Sequence, residues 1–287
     1  MIFGNAAWGF RETPLEKQLQ ITKEMGLEYL ELGIGGHRND YIQLDAGDEI
    51  LEGARELFNR YGIKLLCAST GNDFTLASET ECLNELKNIK GAIDIAGKLG
   101  IAHLRIFAGF SPAAEVTGKR WSTMRNCLCE SSEYASGVGV STAVETHGGV
   151  ESEYGGVRHF YSTSSKPELL LNLMAQLPSE AKVVFDPANL GAVGLNGNEI
   201  NALYRKLKPR IAYMHLKDFK PSLTGGGLLS PCACGEGQLD WEKLMKEFSE
   251  YPGVGMIEYE NTEDIRDGLK RSLEVLRKTD EGKRQNN

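Results

Sequence analysis

The stretch that decides the fold is VGVSTAVETHGG, residues 138–149. A run rich in β-branched residues leads into Glu145, skips Thr146, reaches His147 and stops at two glycines. Side chains on a strand alternate between its two faces, so Glu145 and His147 point the same way. A packed core rejects both groups unless they are paired or bind a metal. The stretch therefore reads as a strand that carries two polar groups to one place at its C-terminal end.

The same rhythm runs outward in both directions. Strands are expected over 2–8, 27–33, 63–70, 101–107, 138–147, 181–189, 211–218 and 254–260. Between and after them lie helical patterns over 13–26, 46–62, 80–100, 120–137, 166–178, 197–209, 240–252 and 262–279. Thr13 reads as the cap of the first helix, Asp240 as a cap later on, and Gly62 and Gly100 as helix stops. Repeated βα units with short β-branched strands imply a parallel sheet, and eight of them imply closure into a (β/α)8 TIM barrel. An open doubly wound sheet is the alternative. It would advertise a Gly-rich first turn, whereas the first strand here runs into NAAWGF. No linker or break in composition divides the chain, so 1–279 reads as one α/β domain and 280–287 as a polar C-terminal tail.

The bulk numbers fit a globular enzyme-sized domain. The chain has 287 residues, 41% of them apolar, and a net charge of −8. A field of that sign does not attract phosphate backbones, which argues against nucleic acid as a partner. No apolar run approaches the roughly 18 residues of a membrane span. The N-terminus has no basic region ahead of an apolar core, so a cytoplasmic protein is expected. The six cysteines then read as free thiols, and the C-x-C pairs CLC and CAC lack zinc-ribbon or redox spacing.

A barrel of this kind works at the C-terminal ends of its strands. Strand five ends with Glu145 and His147, strand six with Asp186, strand seven with His215 and then Lys217 and Asp218, and strand eight with Glu258 and Glu260. Any one of these is ordinary alone. Together they would require buried charges of mixed type to find separate partners in one small space. A divalent cation removes that cost, because carboxylates and a neutral imidazole can share it. Three carboxylates and one His make a hard, oxygen-rich set suited to Mn²⁺, with Mg²⁺ or Co²⁺ as alternatives.

The motifs AVETHGG, VVFDPANLG, YMHLKDF, GEGQLDW and MIEYE resemble those of the xylose-isomerase-like barrel superfamily of sugar isomerases and epimerases, in the same order along nearly the whole chain. The resemblance implies metal ligands at Glu145, Asp186, His215 and Glu258, and it selects Glu258 over Glu260. It further implies that Glu145 and Glu258 act as acid and base. One would remove the proton beside a ketose carbonyl, giving an enediolate stabilised by the metal, and the other would return a proton to the opposite face. One departure stands out. The sugar epimerases carry a His three residues after the strand-six Asp, and here that place is Asn189.

Around this set, His147, Asn189, Lys217 and Trp8 are candidates for substrate binding. His147 serves equally as a partner of a ligand carboxylate. Glu31 and Arg105, from strands two and four, read equally as an inward ion pair or as binding residues. The glycine-rich segment 222–237 reads first as a lid or oligomer contact and second as a phosphate cradle. The implied partner is a small sugar or keto-sugar, with a homo-oligomer in keeping with the family. The same base can expel water or an alkoxide, so a dehydratase or lyase of keto-sugars or inososes is the alternative. An apurinic-site endonuclease shares the barrel but needs three metals and many His ligands, and this chain has five His in all.

Overall fold

The structure is a computed structural model describing residues 1–35 and 41–284. Its central sheet is parallel. It contains β1 (Ile2–Asn5), β2 (Tyr29–Leu30), β3 (Leu32–Gly33), β4 (Cys67–Ser69), β5 (His103–Ile106) and β6 (Ser141–Glu145). A hairpin follows, β7 (Gly149–Glu153) and β8 (Gly156–Phe160). Then come β9 (Lys182–Phe185), β10 (Ile211–Leu216), a second hairpin of β11 (Asp218–Pro221) and β12 (Leu229–Cys232), and finally β13 (Val254–Ile257). The helices are α1 (Leu15–Glu24), α2 (Asp48–Tyr61), α3 (Glu79–Leu99), α4 (Gly118–Gly137), α5 (Pro167–Gln176), α6 (Pro187–Ala192), α7 (Gly197–Leu207), α8 (Trp241–Glu247) and α9 (Ile265–Arg284).

The central sheet has nine segments, in the order β2-β1-β13-β10-β9-β6-β5-β4-β3. β2 and β3 are two pieces of one barrel strand. Tyr29 and Leu30 pair with β1, Leu32 and Gly33 pair with β4, and the change of partner falls at Glu31. The Glu31 amide still donates to the Asn5 carbonyl at 2.9 Å. Eight staves therefore close into a TIM barrel, as the alternation of elements implies.

Helix ends follow local chemistry. Gly62 and Gly100 stop α2 and α3 with φ of 66° and 73°, a conformation other residues adopt at a cost. Asp240 caps α8 by accepting from the Lys243 amide. Thr13 does not cap the first helix. Pro14 takes the cap position with ψ of 145°, so the helix starts at Leu15, and the Gln18 side chain satisfies the Thr13 carbonyl at 2.7 Å. The last helix runs on to Arg284, into the segment read as a polar tail. No helix among the described residues is long and apolar enough to cross a membrane.

Inside the barrel, Cys67, Ala143, Val184, Tyr213 and Met256 form one buried layer. Each points inward, so the residue two further along the chain points inward one pleat higher. Those residues are Ser69, Glu145, Asp186, His215 and Glu258, all buried. The apolar layer closes the bottom of the space and the pleat repeat sets the polar layer above it.

A second sheet, antiparallel and in the order β11-β12-β8-β7, extends the loops after the fifth and seventh staves. Segment 222–237 is thus in part a β-hairpin rather than a long loop. Gly225, Gly226 and Gly227 make its turn, and Leu229 pairs with Val157 of the other hairpin. Its return is held by Asp218. That carboxylate accepts from the amides of Phe219, Gly235, Gln238 and Leu239 and from the Trp241 indole at 3.0 Å. A Cβ on Gly237 would lie 2.2 Å from Asp218 Oδ1, so the chain passes there only as glycine.

Candidate metal centre

Glu145, Asp186, His215 and Glu258 each offer an atom to a common space, and these atoms lie within 4.8 Å of one another. Glu145 is the last residue of β6, Asp186 and Glu258 directly follow β9 and β13, and His215 is the penultimate residue of β10. His215 Nδ1 is 3.3 Å from Glu145 Oε1 and 3.6 Å from Glu258 Oε1. Asp186 turns Oδ1 to the Ala188 and Asn189 amides, at 2.8 and 3.0 Å, which starts α6. Its Oδ2 is buried with no hydrogen-bond partner, and the Lys217 ammonium is 3.2 Å away. An underbonded carboxylate oxygen beside two more carboxylates and an imidazole is a donor set that fits a divalent cation.

The other half of the mouth fixes these donors. Glu31 Oε1 lies 3.1 Å from His215 Nε2 and accepts the Tyr213 hydroxyl at 2.6 Å, while Oε2 accepts the Ala7 amide at 3.0 Å. Nε2 donates to Glu31 and Nδ1 faces the carboxylates. Burial lowers the His215 pKa, but the carboxylates outweigh it and raise it well above its ordinary value, so Nδ1 would offer its lone pair to an ion only by giving up a proton. A Glu31–Arg105 ion pair is not the one that forms. Arg105 places Nε 3.2 Å from Glu145 Oε2 and donates to the Thr70 carbonyl at 2.9 Å. The reason is reach: both residues point inward, but His215 and Tyr213 already occupy the Glu31 carboxylate.

Lys217 is buried and sits 2.7 Å from Glu258 Oε2, 2.8 Å from Glu260 Oε1 and 3.2 Å from Asp186. Glu260 thus holds a cation instead of joining the four. Asn189, in the place of the epimerases' His, donates to Glu145 Oε1 at 3.1 Å. His147 is not bonded to a ligand carboxylate. Its Nδ1 donates to the Gly148 carbonyl at 2.5 Å, and Phe107 and Phe110 meet its ring edge-on. Trp8 lies in a helical turn at Trp8–Phe10, with the Arg11 guanidinium 4.9 Å from its ring centre.

Protonation follows from this crowding. Burial raises Glu145, but His215 and Arg105 outweigh it and hold the carboxyl well below its ordinary range. Burial pushes His147 down to about 4, so its ring is neutral near pH 7. The reactive-looking thiols go the other way, since burial raises Cys67 and Cys234 far above their usual range.

Sequence reasoning turned Glu31 inward but missed its partner, and it missed the β7–β8 hairpin. Glu31 has a signal, an acid at a strand end one pleat above the inward Tyr29, but its partner is 184 residues away in sequence. The β7–β8 hairpin has one too, the EYGGV turn, which the alternation of larger elements overshadowed.

A model of the xylose isomerase-like TIM barrel family matches residues 19–279, and the chain belongs to that family. No curated protein sequence matches. Among solved structures, the probable 3-DHS dehydratase of petrobactin synthesis from Bacillus anthracis superposes with a TM-score of 0.76. It is 17% identical, with 96% of this chain and 99% of that one covered. The D-psicose 3-epimerase of Clostridium cellulolyticum gives 0.72 at 12% identity over 98% and 99%. A 3-keto-D-glucoside 4-epimerase from E. coli gives 0.70 at 15% identity over 97% and 99%.

Proposed function

We propose that this xylose isomerase-like barrel is a divalent-metal-dependent sugar isomerase or epimerase that moves a proton at the carbon beside a ketose carbonyl. The matched construction of Glu145 and Glu258 carries the reading. Each presents one oxygen to His215 Nδ1 and rests the other on a buried cation, Arg105 for Glu145 and Lys217 for Glu258. Two carboxylates held alike on different staves suit one proton removal and one proton return on opposite faces of a substrate.

Glu145, Asp186, His215 and Glu258 would hold the ion, Mn²⁺ in the first place with Mg²⁺ or Co²⁺ as alternatives. The bound ion supplies Lewis acidity toward the carbonyl oxygen. Arg105 and Asn189 fix Glu145 for proton transfer, and Lys217 does the same for Glu258. His147 and Asn189 offer hydrogen bonds to the substrate, and burial of the cluster keeps bulk water from the reacting carbon.

A second reading, a dehydratase or lyase of keto-sugars or inososes, is favoured by one contact. The Lys217 ammonium against Glu258 is a proton donor beside a base, which expulsion of water needs. The likeness to a dehydratase and to epimerases at under 20% identity supports either chemistry on one fold. The endonuclease reading has less support, since the ligand group found among the described residues has a single His.

The test is exchange from heavy water by the Mn²⁺-loaded protein, with ketoses, inososes and keto-glycosides followed by NMR and mass. Deuterium beside the carbonyl with a new stereoisomer is the expected result. Loss of water or of an aglycone transfers the assignment to the second reading. Absence of exchange across the set sinks both.

A further inference from the structure

The hairpin sheet brings one group to the mouth that the proposed chemistry does not use. His159 lies on β8, and both of its ring nitrogens are closed off from solvent without a hydrogen-bond partner. A neutral imidazole carries one donor and one acceptor, and proteins rarely leave both unsatisfied. The ring packs on Phe219, 5.0 Å between centres. The Lys217 ammonium lies 5.7 Å from the centre of that same Phe219 ring, and Lys217 in turn touches Asp186 and Glu258. Phe219 and Leu229 also pack on Ala188, in the helix that Asp186 starts. The face of the sheet that bears His159 therefore covers the ligand cluster. Burial lowers the His159 pKa to about 4, and the Lys217 ammonium adds to this.

We propose that His159 is a substrate-recognition residue, and that what it reads is a hydroxyl of an uncharged polyhydroxy carbonyl compound, not a phosphate or a carboxylate. The inference rests on the sugar-directed reading above and narrows its substrate class. A hydroxyl can accept from the N–H or donate to the other nitrogen, so two hydroxyls of one polyol can serve both idle nitrogens. Asn189 Oδ1 is a second buried acceptor without a partner in the same site. An anion would need a cation of its own. Among the described residues, both cations beside the ligands are engaged, Arg105 by Glu145 and Lys217 by three carboxylates.

The experiment uses the full-length Mn²⁺-loaded protein and two variants. H159F keeps an aromatic ring on Phe219 and removes both nitrogens, and H159Q keeps hydrogen bonding and loses the ring. The probes are D-fructose, D-psicose, scyllo-inosose and a methyl 3-keto-glucoside, against D-fructose 6-phosphate and 3-dehydroshikimate. Binding is read by Mn²⁺ relaxation and turnover by deuterium exchange. The expected result is preference of the wild type for an uncharged probe by tenfold or more. H159F then raises its Kd and KM about tenfold, with kcat, Mn²⁺ affinity and Tm little changed, and H159Q restores part of the loss. Unaltered binding by H159F would show that the ring only packs. Preference for the phosphate or the carboxylate would overturn the substrate class while leaving the proton-transfer reading intact. If the wild type neither binds nor exchanges any probe, that reading fails and this proposal with it.

Discussion

On one side of the barrel mouth, β6, β9, β10 and β13 lead into Glu145, Asp186, His215 and Glu258, which turn toward one another. On the other side, Glu31 and Arg105 are as deeply buried and as strongly charged, yet they grip the outward atoms of His215 and Glu145. Both halves are built from buried charged groups. What differs is where the oxygens face. Asp186 leaves Oδ2 without a hydrogen bond in the shared space, whereas Glu31 commits both oxygens on the far side of His215, to Nε2, the Tyr213 hydroxyl and the Ala7 amide.

The sharpest way to break this comparison is to remove charge from each half in turn. Glu145→Gln and Glu258→Gln should each cut deuterium exchange about a thousandfold or more even at saturating Mn²⁺. Glu31→Gln should instead weaken Mn²⁺ binding by about ten- to a hundredfold, measured by titration calorimetry, and recover most of its rate once the ion is saturating. Equal loss in all three at saturation would mean that Glu31 takes part in the chemistry and that the two halves do not differ in kind.

Asp186 and Glu31 titrate in opposite directions. Burial pushes Asp186 up to about 7, more than the Lys217 ammonium pulls it down. The folded apoprotein keeps a proton there that the unfolded chain gives up near pH 4, so this contribution to stability declines as pH rises from about 4 to 7. For Glu31, burial is outweighed by His215, with help from Arg105, and the carboxyl falls to about 2. Its contribution is present above about pH 4.5 and is lost as the pH falls toward 2. An ion needs the ionised Asp186, so the rise in Tm caused by Mn²⁺ should be larger at pH 7.5 than at pH 5.5. A rise independent of pH would show that Asp186 is not a ligand.

The smallest effects belong to the tips of the hairpin sheet. Tyr154 and Leu223 are fully exposed at its turns, while Phe219 is buried under it. Tyr154→Ser and Leu223→Ser should change stability by under about 0.5 kcal/mol, whereas Phe219→Ala should cost about 3 kcal/mol, by thermal or urea melts.

The barrel was legible because its signal is local and repeated. Capped, amphipathic helices alternate with short apolar strands, and the pleat repeat places Glu145, Asp186, His215 and Glu258 at one height without knowledge of any contact. The hairpin sheet was not legible in the same way. Its strands are short and half exposed, and their glycines read equally well as loop, so only the pairing of Leu229 with Val157 shows a sheet.

By itself, then, the sequence determined the barrel, the strand ends that carry charge, and the donor types that meet there, because each depends on neighbours a few residues apart. Tertiary structure alone decided the partners: Arg105 with Glu145, Glu31 with His215, Lys217 among three acids, and His159 against Phe219. Those pairings join atoms from distant staves, and they depend on side-chain reach across a closed barrel, which no spacing along the chain encodes.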